Sequence, residues 1–273
     1  MPLTAPEKCP VLKDEMNSSE DKECKEENKN EPQESAAKVV DVVAVAVSSN
    51  RSNVQEPQFY GKAQKYWSEV PATVNGMLGG LGYISAIDVQ GSNTFLREIR
   101  VPGNKAALDC GAGIGRVTRN LLIPRFHCVD IVEQDPAFAN KAREYCTTES
   151  QPVGSLGEIY NVGLQKFTPT KKYDLIWSQW VLGHLTELDL VDFFRRMGQG
   201  LAPGGFFVMK ENVTKSKEII DDDEDSSVTR PLEHYEISLK AAGFRIVRKV
   251  RQQNFPKDLY PVYMIACKPL SVA

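Results

Sequence analysis

The stretch "LDCGAGIGR" (108–116) sets glycines at 111, 113 and 115 behind an acid, Asp109. Alternating glycines let a chain turn tightly and bring its backbone close to a ligand, and the N–H groups opening a following helix stay free to meet it. A dinucleotide fingerprint G-x-G-x-x-G counted from Gly111 requires glycine at position 116, where this chain has Arg116. Asp109 suits a ligand with positive character better than a pyrophosphate. Glu133, ending the next apolar stretch, stands where an acid hydrogen-bonds ribose hydroxyls. A nicotinamide or flavin site and a ligand-free glycine turn are the competing readings.

Two further stretches carry reactive groups. "WSQWVLGHL" (177–185) places Gln179, Trp180 and His184 at the end of an apolar run. An indole face attracts ammonium groups by roughly 0.5–2 kcal/mol, so Trp180 beside a histidine suits a cation or an amine, whereas Trp177, on the other face, reads as core. "IIDDDEDSSVTR" (219–230) has five consecutive acids, Asp221 to Asp225. Most such runs are solvated surface. Asp222 and Asp225 are three apart and can face one way in a helical turn, so these two are read as a trap for a cation. Asp221, Asp223 and Glu224 are read as their wet neighbours, with Ser226 or Ser227 capping the turn or touching a ligand.

The pattern D-x-G-x-G-x-G followed by a ribose acid resembles the S-adenosylmethionine (AdoMet) site of class I methyltransferases. The Asn/Asp-Pro-Pro-Tyr/Phe sequence of many amino methylases is missing at 179–182, which argues against nucleobase amines. Taken together, "YWSEVPATVNGMLGG", "LDCGAGIGR", "WSQWVLGHL", "KENV" and "DEDSSVTR" resemble the α-N-terminal protein methyltransferases, over about residues 57–268 in unbroken order. That resemblance implies methylation of the free amino end of proteins beginning X-Pro-Lys or X-Pro-Arg, with AdoMet as cofactor. It implies a lid from Trp67 and Met77-Leu78-Gly79, and cofactor contacts from Trp67, Met77, Gly111, Gly113, Arg116, Glu133, Leu164, Gln165 and Gln179. Arg116 would meet the methionine carboxylate. Tyr66, Leu78, Gly79, Trp180, Asn212, Asp222, Asp225, Ser227 and Tyr260 would hold the peptide. Glu133 stands where the family has aspartate, keeping the charge and lengthening the reach. The resemblance further implies a nuclear and cytoplasmic protein.

The reaction so implied is an in-line displacement by an amine on a sulfonium methyl. An α-amine has a pKa of about 7.7–8.0 and is mostly protonated near neutrality, so a modest base suffices. His184 is the first candidate and Asp225 its partner or rival, with simple orientation of the amine and proton loss to water as the third option. A proline at the second substrate position fixes φ and lowers the entropic cost of entry. Methylation of protein side chains or of a small amine is the alternative activity, and a cofactor-binding scaffold without catalysis the second rival.

These groups need a frame. From about residue 105 the chain alternates short apolar runs with helical patterns: strands at "AALDC", "HCVDIVEQD", "EIYNVGLQKF", "YDLIWSQWVL" and "FFVMKENV", and helices at "GRVTRNLLIPRF", "PAFANKAREYC", "LDLVDFFRRMGQGL" and "LEHYEISLKAAG". "APGG" reads as a turn, and "FRIVRKVRQQ" with "YPVYMIACK" as a closing pair. This predicts an α/β fold, a mostly parallel seven-stranded sheet with helices on both faces, whose ligands bind beyond the strands' carboxyl ends. Before it, "FYGKAQKYWSEV" has helical spacing and stops at Pro71, "GMLGGLGY" is a hinge or lid, and a helix follows around Ala86–Arg97, making an N-terminal helical lid over about 57–100.

Residues 1–55 are too polar and charged to form a core and predict a disordered acidic leader, leaving 56–273 as the folded domain. Its one apolar run, "VVDVVAVAV" (39–47), is too short to span a bilayer. A net charge of −3 gives no reason to expect nucleic acid or an anionic membrane as partner. Six scattered cysteines and three histidines lack metal-ligand spacing and predict reduced thiols and no metal. The partners that the resemblance implies are protein N-termini, and the chain is expected to be a monomer.

Overall fold

The computed structural model describes residues 56–147 and 154–270, so the leader and its apolar run lie outside the described residues. Helix α1 (Glu56–Glu69) leads through the one-turn α2 (Val74–Met77) into α3 (Ser85–Ile99). Thr73 caps α2 by accepting the Gly76 N–H at 3.0 Å. Among the described residues nine strands follow: β1 (Ala106–Cys110), β2 (Cys128–Val132), β3 (Ser155–Tyr160), β4 (Tyr173–Gln179), β5 (Leu201–Thr214), β6 (Ile220–Asp222), β7 (Ser227–Pro231), β8 (Phe244–Arg251) and β9 (Val262–Pro269). Between them run α4 (Pro136–Cys146), α5 (Glu187–Gln199) and α6 (Leu232–Ala241). Asp135 caps α4 through the Ala137 and Phe138 N–H groups, with Pro136 opening the helix, and Thr186 caps α5 through Asp189.

The central order is β3-β2-β1-β4-β5, all parallel, then β9 antiparallel to β5 and β8 antiparallel to β9. Alternation along the strands builds a core on each face. Leu108, Ile176, Phe207 and Met209 pack with Phe193, Phe194 and Met197 of α5. Ala107, Leu175, Trp177 and Val208 point the other way, onto Phe95, Leu96 and Ile99 of α3. Trp177 is fully buried there, the core role expected of it.

Seven strands make up the expected sheet. The other two, β6 and β7, correct the expected count: they form an antiparallel hairpin pairing Ile220 with Thr229 and Asp222 with Ser227, attached through Arg230 to Val213 at the end of β5. The acidic run is therefore the tip of a hairpin and not a helical turn. In β7 the buried Val228 and Arg230 alternate with the half-buried Ser227 and Thr229, whereas β6 is exposed throughout, and the acids are confined to the last residues of β6 and the connecting turn. "APGG" is likewise absorbed into β5, as an irregularity between the Tyr173–Leu201 and Leu175–Phe206 pairs, with Gly204 at φ 77°. The helix after the glycine loop is a short π-helix, Thr118–Leu122, that stops ahead of Pro124, and β3 ends at Tyr160, leaving Leu164 and Gln165 in a turn.

Candidate active site

The glycine loop leaves β1 with Gly111 at φ 71° and Gly113 at φ 56°, left-handed values that suit glycine. The Gly113 N–H donates to Glu133 Oε2 at 2.7 Å, and the Asp135 N–H to Glu133 Oε1 at 2.8 Å. Burial nevertheless pushes the Glu133 carboxyl up to about 7, the two N–H groups offsetting only part of it. Asp109, beneath the loop, is raised by burial to about 6 while Thr118 Oγ1 donates to it at 2.6 Å. All nine residues assigned to the cofactor face one cleft above the strand ends. Gly111, Gly113, Arg116 and Glu133 form one side, Leu164, Gln165 and Gln179 another, and Met77 and Trp67 close it from the N-terminal helices.

Behind that cleft lies a charged cluster that sequence reading missed. Asp88, in the first turn of α3, is fully buried; its carboxylate takes Arg116 Nη1 at 2.8 Å, Gln179 Nε2 at 3.0 Å and Lys210 Nζ at 2.5 Å. Burial acts to raise the Asp88 pKa, but the charges of Lys210 and then Arg116 outweigh it and hold the carboxyl below its usual range. Lys210 is brought down to about 8, chiefly by burial. The acid lies within a plain amphipathic helix, and its partners are 28, 91 and 122 residues away, so no local spacing marks it.

A second groove adjoins the first. Leu78, Trp180, Asn212, Asp225, Ser227 and Tyr260 line it. Trp180 Nε1 and Asp225 Oδ1 are buried there without a hydrogen-bond partner, an arrangement that costs free energy until a ligand supplies one. Three other residues assigned to the peptide lie outside the groove lining. Gly79, at φ 54°, sits in the exposed turn after α2. Tyr66 stands beside the hairpin tip, its phenol pKa raised by burial and then by Glu224, Asp225 and Asp222. Asp222 is exposed, and its Oδ1 accepts the Glu224 N–H at 3.0 Å.

Trp67, Met77, Trp180 and His184 line both spaces, and so form the wall between them. His184 Nδ1 lies 3.4 Å from the Ser226 carbonyl, Nε2 accepts the Trp67 indole N–H at 3.0 Å, and Asp225 Oδ2 is 3.9 Å from Nε2. Burial lowers the His184 pKa, against the raising effect of Asp225, so the ring is neutral near pH 7. Helix α1 is tied down at two more points: Tyr60 donates to Asp189 Oδ2 at 2.5 Å, and Ser226 Oγ to the Phe59 carbonyl at 3.0 Å.

The loop carrying Trp180 and His184 is clamped from two sides, and neither clamp was foreseen. Glu211 Oε1 accepts the Val181 and Leu182 N–H groups, both at 2.9 Å, while Trp180 adopts φ 54°. Arg230, from the hairpin, donates to the Leu182 and Leu185 carbonyls at 2.9 and 2.6 Å and pairs with Glu187 at 2.8 Å. The same hairpin thus brings Asp225 to the groove and fixes the loop that holds His184.

This donor set fits an adenosyl amino acid: an acid at ribose height, a cation beside Gln179, apolar walls from Val132, Val162 and Leu164, and an aromatic cover. The neighbouring groove offers an acid, an amide and a neutral imidazole to a second molecule. The chain matches a family model described as AdoMet dependent proline di-methyltransferase over residues 55–268. It is 78% identical over 216 residues to Alpha N-terminal protein methyltransferase 1 of Drosophila melanogaster, covering 79% of this chain and 78% of that one. It is 47% identical over 220 residues to N-terminal Xaa-Pro-Lys N-methyltransferase 1 of Xenopus tropicalis, covering 78% and 96%. Among solved structures, a SAM-dependent methyltransferase of Leishmania major aligns with a TM-score of 0.75 and 35% identity over 83% of this chain and 91% of that one.

Proposed function

The chain belongs to the AdoMet-dependent proline di-methyltransferase family, and from that premise we propose that it methylates the free α-amine of proteins beginning X-Pro-Lys or X-Pro-Arg. The observation that carries this reading is the shared wall: Trp67, Met77, Trp180 and His184 bound both a cofactor-shaped cleft and a groove with an orphaned carboxylate oxygen. When bound, AdoMet supplies an electrophilic methyl on a sulfonium. Glu133 is assigned to the ribose hydroxyls and Arg116 with Gln179 to the amino-acid end. Gly111 and Gly113 form the floor, Leu164 and Gln165 meet the base, and Trp67 with Met77 excludes water.

The peptide enters from the other groove. Asn212 donates to a peptide carbonyl, Leu78 and Tyr260 flank the second-position proline, and the hairpin tip faces the basic third residue. Asp225 Oδ1 takes a proton from the terminal ammonium, helped by His184, whose Nε2 is already engaged by Trp67. Trp180 and His184, in the shared wall, would hold the freed nitrogen lone pair in line with the methyl that the cofactor would supply. Most of the acceleration comes from alignment, worth about 7–11 kcal/mol in favourable cases. Mass spectrometry of a Ser-Pro-Lys peptide and of its N-acetylated twin tests the reading. Methyl on the free peptide alone is expected, and equal modification of both assigns the activity to side chains.

A further inference from the structure

Lys210 is fully buried and touches neither cleft, yet its ammonium shares the Asp88 carboxylate with Arg116, which lines the cofactor cleft. Nζ contacts Asp88 Oδ1 at 2.5 Å, the Asp88 carbonyl at 3.0 Å, Ser92 Oγ at 2.9 Å and Gln252 Oε1 at 2.8 Å. The other Asp88 oxygen, Oδ2, pairs with Arg116 at 2.8 Å, and Gln179 Nε2 reaches both oxygens at 3.0 Å. One carboxylate is therefore shared by two cations, and of the three charges only Arg116 faces the cleft.

The charge count matters because water is excluded. Were Asp88 opposite Arg116 alone, the pair would be neutral and the guanidinium would offer little to an incoming anion. With Lys210 drawing on the same carboxylate, the trio keeps one net positive charge. Asp109, also in the cleft lining, acts on Arg116 as well but binds the Thr118 hydroxyl and not the guanidinium, so the cleft is the face on which an anion can meet Arg116. Burial of uncompensated charge is costly, so a ligand that brings a carboxylate relieves the cluster as it binds.

We infer that Lys210 is an electrostatic positioning residue for AdoMet: by sharing Asp88 it leaves Arg116 under-neutralised, and the α-carboxylate of the cofactor completes the balance. The inference rests on the AdoMet reading given above. It also explains why the acid sits on α3. The carboxylate that docks this helix on the sheet is the one that tunes Arg116, so helix docking and cofactor binding share a group.

Two ligands separate charge from architecture. S-adenosylhomocysteine carries the α-carboxylate, and 5′-methylthioadenosine keeps the adenosine and sulfur without it. Calorimetry on the whole chain compares wild type, Lys210→Met and Lys210→Gln, the last retaining hydrogen-bonding capacity toward Asp88 and Ser92 without charge. Both variants are expected to bind S-adenosylhomocysteine about ten-fold or more weakly while 5′-methylthioadenosine changes by less than about two-fold. Should Lys210→Met fail to fold, Lys210→Gln carries the same test. Equal weakening of both ligands, or an unchanged S-adenosylhomocysteine affinity, overturns the inference and leaves Lys210 as a tie between α3 and β5. Wild-type protein that binds neither ligand overturns the AdoMet reading instead.

Discussion

Trp67 donates its indole N–H to His184 Nε2 at 3.0 Å, so the helix that covers the cofactor cleft also occupies the lone pair of the imidazole beside the amine site. Donation to that nitrogen favours the neutral ring, adding to the lowering by burial. Trp67→Phe keeps an aromatic cover and removes the donor. The His184 pKa is then expected to rise, because the neutral ring loses the donor that favours it. With three histidines in the chain, imidazole NMR titration resolves the shift directly. An unchanged His184 titration would show that the indole does not govern its protonation.

The two aspartates read as equal partners in the sequence are placed unequally. Asp225 turns an unpartnered oxygen into the groove, whereas Asp222 is exposed and engaged with the Glu224 N–H. Truncating a buried, charge-bearing contact costs about 2–5 kcal/mol of binding, and a rim charge far less. Asp225→Ala is therefore expected to reduce kcat/KM for a Ser-Pro-Lys peptide at least about thirty-fold, and Asp222→Ala only a few-fold with a stronger salt dependence. Cofactor affinity should hold in both. Steady-state kinetics at two ionic strengths checks the ranking, and equal losses would mean that the tip reorganises around the peptide.

Much of the cofactor cleft was legible because its chemistry is local. Glycines in alternation, an acid ending the next strand and a glutamine ending β4 each follow a strand terminus, and parallel sheets gather strand termini at one edge. What stayed hidden depends on long-range contacts. Asp88 acquires its meaning from Arg116 and Lys210, and Glu211 from backbone amides 29 and 30 residues away. The hairpin was hidden for another reason: β6 is three exposed residues, two of them acids, with no buried position to mark it as a strand, and the spacing of the acids imitates a helical turn.

Glu211 holds the Trp180–His184 loop at an energetic cost that depends on pH. Burial raises its carboxyl to about 7 from an ordinary 4.5, the Val181 and Leu182 N–H groups notwithstanding. A raised acid pKa means that the folded state binds the proton more tightly than the unfolded one. Its contribution is most favourable below pH 4.5 and is lost as pH rises through 7. Glu211→Gln keeps a carbonyl for both N–H groups and does not titrate. Relative to wild type, the variant is expected to gain stability between pH 4.5 and 7 by up to about 3 kcal/mol, and to hold that gain above pH 7. Urea unfolding at pH 5, 6, 7 and 8 measures the difference, and a pH-independent offset would contradict the assignment.

Gly111 links the cofactor floor to the loop that carries the amine-side residues. It sits at φ 71°, which an alanine adopts at a cost of about 1–2 kcal/mol. A Cβ there would lie 2.5 Å from Val181 Cγ2, 2.7 Å from its Cβ and 2.9 Å from Cγ1, so rotation of the valine offers no escape. Val181 is tethered through its N–H to Glu211 and is flanked by Trp180, so the overlap has to displace the loop itself. Gly111→Ala is therefore expected to damage peptide turnover as well as cofactor binding, unlike a change confined to the floor. Adding Val181→Ala removes the side-chain overlap and leaves the backbone penalty. The double variant should recover a large part of the peptide kcat while remaining weaker than wild type for S-adenosylhomocysteine. A double variant no more active than Gly111→Ala would place the damage in the glycine turn alone, with Val181 carrying nothing across the wall.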